Sequence, residues 1–340
     1  MDNSKFLRWG ILGCGGIARR MASVIASRDN MALAAVAAKD AARAEAFARE
    51  QGAEKAYGSY ARLLQDGDVD AVYVANLHPA HYETVRGCLL AGKPVLCEKP
   101  MTMTAAQAED LFRLAKEQNL LLMEAMWSRY LPACRQAAAL AKSGGLGELK
   151  GAVIDFSNYF PYDPGHRIYD PAKGGGALLD VGIYVIHMAF SLFGPDYCAA
   201  SVSGRLAPTG VDEFAALTLD YPDGRTAVLS CGSDRMGTMA ATIHGRDAWI
   251  SLPHFFQANS YTLHVTGKPD ETRQFEEIDG FAYEVEEFRR LWSQGALESP
   301  LVPHRDTVKA LELMEWAMDQ IHAQDAGRRG FSGTDARREG

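Results

Sequence analysis

The sequence predicts two domains in series. The first is an α/β domain on a doubly wound parallel sheet; the second is an α+β domain with a large, mainly antiparallel open sheet. Three observations carry this. Apolar runs alternate with helical patterns as far as residue 125, the rhythm changes after Trp127, and alternating segments separated by turn signals run from Ala199 to Phe275. A chain of 340 residues suits two domains and buries a core without disulfide or metal staples.

Strands are expected at Arg8–Leu12, Leu33–Ala38, Ala71–Asn76, Pro94–Glu98 and Leu120–Glu124. Between them, helices are expected around Ile17–Ser27, Ala41–Gln51, His81–Ala91 and Ala105–Gln118. Strands that are apolar throughout and separated by helices are parallel strands covered on both faces. Residues 1–125 therefore form the first domain and 126–325 the second, with 326–340 a Gly/Arg/Asp-rich tail expected to fray. In the second domain a helix over Leu131–Lys142 stops at Gly144-Gly145, and a strand follows over Glu148–Tyr159. The Pro/Gly-rich stretch Tyr159–Gly176 is long enough to predict a functional loop, with Asn158–Lys173 a candidate lid. A strongly apolar helix, Ala177–Phe193, closes at Gly194-Pro195. Turns at Tyr221–Gly224 and His244–Asp247 punctuate the antiparallel run, and helices near Ala282–Gln294 and Arg305–His322 finish the domain.

Composition excludes several classes. Hydrophobic residues make up 47% and charged residues 23%, which rules out wholesale disorder. A net charge of −8 argues against a general nucleic-acid or anionic-membrane binder. No stretch has the ~18–20 uncharged apolar residues of a membrane helix, and no leader is expected before the run that begins near Phe6. Cys14, Cys88, Cys97, Cys134, Cys198 and Cys231 are scattered, with no zinc-ligand spacing, so no metal site is expected. Such usage suits a reducing compartment and a cytoplasmic protein.

Gly13-Cys14-Gly15-Gly16-Ile17-Ala18 directly follows the first strand and opens the first helix. This G-x-G-x-x-A pattern permits a tight turn, lets a pyrophosphate approach the backbone, and packs helix on strand through the small Ala18. Its place in a βαβ unit makes it the fingerprint of a Rossmann dinucleotide-binding domain. About 20 residues on, where an NAD-binding unit carries a carboxylate, stands the neutral Ala38. Lys39 and Arg43 follow it and suit a 2′-phosphate, which favours NADP; Asp40 keeps NAD as the alternative.

Glu98-Lys99-Pro100 ends an apolar strand, and ligands of open α/β sheets lie outside the carboxyl ends of strands. Lys99 thus faces either a cofactor's reactive end or plain solvent before a turn. Asp180 and Tyr184, four apart on one helix, share a face, with His187 a turn further. From periodicity alone Tyr184 reads first as a packed aromatic with a satisfied hydroxyl, and His187 as core. A tyrosine is a poor base at neutral pH unless a cation such as Lys99 favours its phenolate.

At Gly13–Ala18, Asn76 with His78, Cys97–Pro100 and Gly174–Tyr184 the chain resembles the Gfo/Idh/MocA family of glucose–fructose oxidoreductases and inositol dehydrogenases, over nearly its whole length. Glu124–Tyr130 and Tyr184 are most similar to its branch of dimeric dihydrodiol dehydrogenases and NADP-dependent D-xylose 1-dehydrogenases. Many members carry Asp and then His four residues later; Asp180 and Tyr184 here move the proton carrier from imidazole to phenol. The resemblance implies an NADP-dependent oxidoreductase acting on a sugar or cyclic diol, with Lys99, Tyr184 and Asp180 catalytic. It also implies cofactor contacts from Gly13, Gly15, Gly16, Ile17, Ala18, Ala38, Lys39, Arg43, Asn76, His78, Glu98, Lys99, Trp127 and Arg129. Trp127, Phe156, Arg167, Tyr169 and Phe281 are candidate substrate walls, and the alternating strands Phe214–Ser230 and Met239–Leu252 a candidate homodimer face. A non-catalytic NAD(P)- or sugar-binding regulator on the same fold is the alternative, as is an assembly subunit pairing through the sheet; neither needs a lysine–tyrosine pair.

Overall fold

The computed structural model describes the backbone of residues 5–335 and side chains through residue 327. Its contacts divide the chain into two compact units, 1–130 with 277–308, and 131–276 with 309–340.

The first unit runs β1 (Leu7–Leu12), α1 (Gly16–Ala26), β2 (Met31–Ala37), α2 (Ala41–Gln51), β3 (Lys55–Tyr57), α3 (Tyr60–Leu64), β4 (Ala71–Val74), α4 (His81–Leu90), β5 (Val95–Glu98), α5 (Ala105–Glu117) and β6 (Leu122–Ala125). The strands pair in parallel in the order β3-β2-β1-β4-β5-β6. Helices on both faces explain why β1, β2, β4, β5 and β6 are buried almost throughout. In α1 the buried positions Ala18, Met21, Ala22 and Ile25 recur at helical spacing and lie toward the sheet. The five strands expected from sequence are present, within a few residues at their ends. Missed was the pair β3 and α3, three and five residues long, too short to show a period.

The second unit contains α6 (Pro132–Lys142), β7 (Leu149–Ser157), α7 (Ile183–Phe193), β8 (Ala199–Leu206), β9 (Asp212–Asp220), β10 (Thr226–Gly232), β11 (Ala241–Gly245), β12 (Ala248–Leu252), β13 (Ser260–Val265) and β14 (Glu271–Gln274). These strands form one sheet in the order β14-β13-β12-β11-β7-β10-β9-β8. Every pairing is antiparallel except β7 with β10. Ile154, Leu229, Leu217, Ile243 and Ile250 are buried on one face, where α6 and α7 pack; Val153, Val228 and Trp249 stand exposed on the other.

The chain then returns through α8 (Phe281–Ser293), and α9 (His304–Asp335) begins in the first unit and continues in the second. The sequence assigns 277–308 to the second domain, but its contacts lie with the first. Arg20 pairs with Asp279, Trp9 packs on Phe288, the Leu122 amide donates to the Leu297 carbonyl, and Thr307 donates to Glu124. A return crossing of this kind leaves no local signal in the sequence.

One further expectation is corrected. The tail expected to fray from residue 326 is helical as far as Asp335, and residues 336–340 lie outside the described residues. By length and mean hydropathy the helical run Pro171–Phe193 could cross a membrane, although it carries Lys173 and Asp180 and so is not an uncharged stretch. Within its unit 89% of the apolar window is buried, as befits a core helix.

Candidate active site

The glycine loop shows what the first unit can hold. Gly13 has φ +108°, and a Cβ there would lie 2.7 Å from the Ala75 carbonyl oxygen, so only glycine allows β1 to turn past the end of β4. At Gly15 and Gly16 a Cβ would meet nothing within 4 Å; the backbone faces open space. Gly15 starts α1 without a side-chain cap, leaving first-turn amides for an anion. Ala18 is buried against the sheet, and Ile17 is partly exposed beside the loop.

At the end of β2 Ala38 is buried and its amide donates to Tyr57. The carboxylate of Asp40 accepts the Ala42 amide at 3.0 Å and caps α2. Arg43 donates to the Cys14 carbonyl at 3.0 Å, which sets its guanidinium beside the loop, while Lys39 is exposed. Uncapped amides, a cradle free of side chains and two cations fit a dinucleotide carrying a 2′-phosphate. Tyr60, unsignalled in the sequence, stands near Arg43; burial raises its hydroxyl's pKa, with Asn76 opposing.

Lys99 follows β5 on a turn held from several sides. Glu98 is buried and accepts both the Tyr73 hydroxyl and the Lys99 amide. Burial raises its pKa, against the lowering effects of Tyr73 and Lys99. The Lys99–Pro100 peptide is cis. His81, fully buried, stands 2.8 Å from the Pro100 carbonyl oxygen and 3.0 Å from that of Asn76, tying the ends of β4 and β5 together. The Met101 amide donates to Glu124 at 2.8 Å. Asn76 donates to Thr84, and His78 packs edge-on against His81.

Several residues expected around the cofactor or substrate also make buried contacts within their own unit. Glu98 is occupied as just described. Arg129 is buried in an ion pair with Asp306 at 3.1 Å; burial lowers its pKa and Asp306 opposes this. Trp127 packs edge-on against Phe281 within the first unit, and the Arg20 guanidinium lies 4.8 Å from one ring and 4.1 Å from the other. In the second unit Tyr169 donates its hydroxyl to the Phe160 carbonyl at 2.8 Å and packs with Ile168, Ala207 and Val211. The lid expected over 158–173 is therefore a loop with its own small core. His187 is fully buried, as its apolar face predicts.

The second unit brings Asp180, Tyr184, Arg167 and Phe156 together. A π-helical turn, Leu178–Gly182, leads into α7 and places Asp180 and Tyr184 about one turn apart. The carboxylate of Asp212, at the start of β9, accepts the Leu178 amide at 2.7 Å and so anchors the front of this helix. Burial raises the Asp212 pKa to about 7, opposed by the amides of Leu178, Asp212 and Ala177. Tyr184, 7% exposed, packs edge-on against Phe156 at 5.4 Å and Phe256 at 6.2 Å. Both oxygens of the buried Asp180 accept from Arg167, each at 3.0 Å. The sequence placed Arg167 only as a pocket wall, and neither Phe256 nor Asp212 gave a signal. Among the described residues no cluster of three His, Cys, Asp or Glu has metal-binding geometry.

A family model described as "Oxidoreductase family, NAD-binding Rossmann fold" matches residues 7–126, and a Gfo/Idh/MocA C-terminal domain model matches residues 134–251. The chain belongs to the Gfo/Idh/MocA oxidoreductase family. It is an NAD(P)-dependent oxidoreductase of that family, with NADP the cofactor that its donor set fits. Among its relatives is the trans-1,2-dihydrobenzene-1,2-diol dehydrogenase of Xenopus tropicalis, 35% identical over 92% of this chain and 98% of the relative. The human enzyme of that name is 33% identical, over 91% and 95%. A solved 3-ketoreductase from Actinomadura kijaniata, in complex with NADP and TDP-benzene, superposes with a TM-score of 0.81. It is 29% identical over 92% of this chain and 96% of its own. Structures of that ketoreductase also exist with a tyrosine changed to phenylalanine and with a lysine changed to alanine.

Proposed function

We propose that the protein is an NADP-dependent dehydrogenase or reductase acting on a CH–OH group of a sugar, such as the anomeric carbon of an aldose, or of a cyclic diol. Tyr184 is the acid–base residue, and Lys99 assists it. The observation that carries the reading is Tyr184 itself: an ionisable phenol among aromatic rings, one turn from a buried ion pair, on the helix that follows Gly174-Gly175-Gly176. The dihydrodiol dehydrogenase relatives and the NADP-bound ketoreductase support the substrate class and the cofactor.

Gly13–Ala18 would hold the diphosphate on first-turn amides, and Lys39 with Arg43 the 2′-phosphate. When bound, NADP supplies the carbon that accepts or donates hydride. In the oxidative direction Tyr184 takes the proton from the substrate hydroxyl, and in the reductive direction returns it. Lys99 hydrogen-bonds that oxygen, stabilises charge developing on it, and favours the phenolate of Tyr184. Asp180 orients the substrate hydroxyl or Lys99.

A homodimer through the open sheet face and a cytoplasmic setting complete the proposal. Thr218, Val228, Val153 and Thr242 form one register row across β9, β10, β7 and β11, in a face that also exposes Trp249. Among the described residues no cysteine is joined in a disulfide, which suits a reducing compartment.

The test is reduction of NADP+ and NAD+ across a panel of aldoses and cyclic diols, with Tyr184→Phe beside the wild type. Tyr184→Phe loses about 10²–10⁴-fold in turnover while its NADP+ affinity stays unchanged. Turnover at the wild-type rate in that variant would refute the acid–base assignment.

A further inference from the structure

Asp180 carries a carboxylate into the front of an apolar helix, one turn before a phenol. A carboxylate so placed disfavours the phenolate that a base must form. The fold answers with Arg167, whose two terminal nitrogens donate to the two Asp180 oxygens at 3.0 Å each. A planar guanidinium set against a planar carboxylate is a directional contact, which a lysine cannot reproduce.

Although half of its side chain is exposed, Arg167 is held by its backbone. The next two residues, Ile168 and Tyr169, are buried, and the Tyr169 hydroxyl donates to the carbonyls of Phe160 and Ser233. A Cβ at Gly175 would lie 2.7 Å from the Ile168 carbonyl oxygen, 2.8 Å from that of Arg167 and 3.0 Å from that of Asp170. Gly176 then donates its amide to the Ile168 carbonyl at 2.8 Å. The triple glycine therefore clamps the turn bearing Arg167 directly onto the start of the helix bearing Asp180 and Tyr184. Burial pulls the Arg167 guanidinium down, while Asp180 and, behind it, the Tyr184 phenol pull it up; the balance leaves it raised. The guanidinium thus stands within electrostatic reach of the phenol. The rings of Phe156 and Phe256 beside that phenol keep water out and strengthen such fields.

We propose that Arg167 is a positioning residue for the acid–base group: by gripping Asp180 it fixes the π-helical turn and cancels the carboxylate's field at the Tyr184 phenol. This rests on the reading of Tyr184 as the proton carrier. Its distinctive consequence is a pair of opposite effects. Removing the cation alone leaves Asp180 acting on the phenol, removing the carboxylate alone leaves Arg167 acting on it, and removing both returns the phenol toward its starting state.

The test uses the NADP-loaded protein with Arg167→Met, Arg167→Lys, Asp180→Asn and the Arg167→Met/Asp180→Asn double variant. Two quantities are read: the pH profile of kcat/KM, and the ultraviolet titration of the phenolate taken as a difference from Tyr184→Phe. Arg167→Met should move the phenolate midpoint up by about one pH unit and lower kcat about tenfold or more at neutral pH. Asp180→Asn should move the midpoint down, the double variant should return most of the way, and Arg167→Lys should fall between wild type and Arg167→Met. An unmoved midpoint in Arg167→Met, or a double variant no nearer the wild type than the single one, overturns the proposal. Should Arg167→Met not fold, the sign of the Asp180→Asn shift and the Arg167→Lys midpoint decide it. If Tyr184→Phe turns over normally, the acid–base reading falls, and the titration still reports whether Arg167 sets the phenol.

Discussion

Two buried acids of the second unit and one of the first are handled in opposite ways. In the second unit Asp180 is matched by a guanidinium and Asp212 by backbone amides, so both acids have fixed partners. In the first unit Glu284 is fully buried in α8 and neither of its oxygens has a hydrogen-bond partner. Burial pushes its pKa well up, and the nearby Glu98 pushes further, against a lowering by Arg20. Burial of this kind favours the neutral form of the acid in the unit that carries Lys99. A guanidinium and backbone amides hold the acids at the helix of Tyr184, whereas burial and the nearby Glu98 favour the neutral form of Glu284.

The largest stability effect is expected at Asp212, because one carboxylate secures the front of the whole helix. Asp212→Ala should cost about 2–4 kcal/mol, since it removes a cap and leaves buried amides unmet. Asp212→Asn keeps an acceptor and removes the titration. The folded pKa near 7 lies above the unfolded value, so what the acid contributes is complete below about pH 4 and is lost as pH rises through 7. The Asn variant should therefore gain on the wild type between pH 5 and pH 8 in thermal or denaturant unfolding. A difference that stays constant across that range would show that Asp212 does not titrate there.

Glu284 gives the contrasting case and a smaller effect. Its raised pKa means that its contribution is complete below the unfolded value near 4.3 and fades as pH climbs through the folded one. Glu284→Gln keeps the shape and removes the ionisation. It should leave stability near pH 5 almost unchanged and raise it by about 1–2 kcal/mol at pH 9. Equal slopes of stability against pH in the two proteins would mean that Glu284 is already ionised, and the contrast between the units would disappear.

What the sequence made legible follows the same division. The Gly13–Ala18 turn, the parallel strands and the turn at Lys99 are local events: a strand, a tight turn and a helix start written in consecutive residues. The ends of β1, β4 and β5 then fall together because parallel strands align their carboxyl ends. Around Tyr184 the partners are scattered, at Phe156, Arg167, Asp212 and Phe256, and only the folded sheet collects them. Periodicity finds the helix and cannot say which charges meet it. Trp127, Arg129, Tyr169 and Phe281, expected at ligands, each also complete a packed contact within their own unit that the sequence does not announce. The return of 277–308 to the first unit joins residues more than 250 positions apart, as with Arg20 and Asp279.

An exposed carboxylate, Asp40, sharpens the comparison. It stands where its charge would favour the ribose hydroxyl of NAD, yet it accepts the Ala42 amide and serves α2. The groups left at that end of the glycine loop are cationic, with Arg43 fixed on the Cys14 carbonyl and Lys39 exposed. Arg43→Ala should therefore raise the KM for NADP+ about tenfold, near 1.4 kcal/mol, and change that for NAD+ by less than about threefold. Lys39→Ala should act in the same direction and more weakly, since no backbone contact holds it in place. Steady-state kinetics with both cofactors against one alcohol substrate decides the matter. Equal losses with the two cofactors would mean that Arg43 only braces the loop, and that Asp40, despite its cap, still sets the preference.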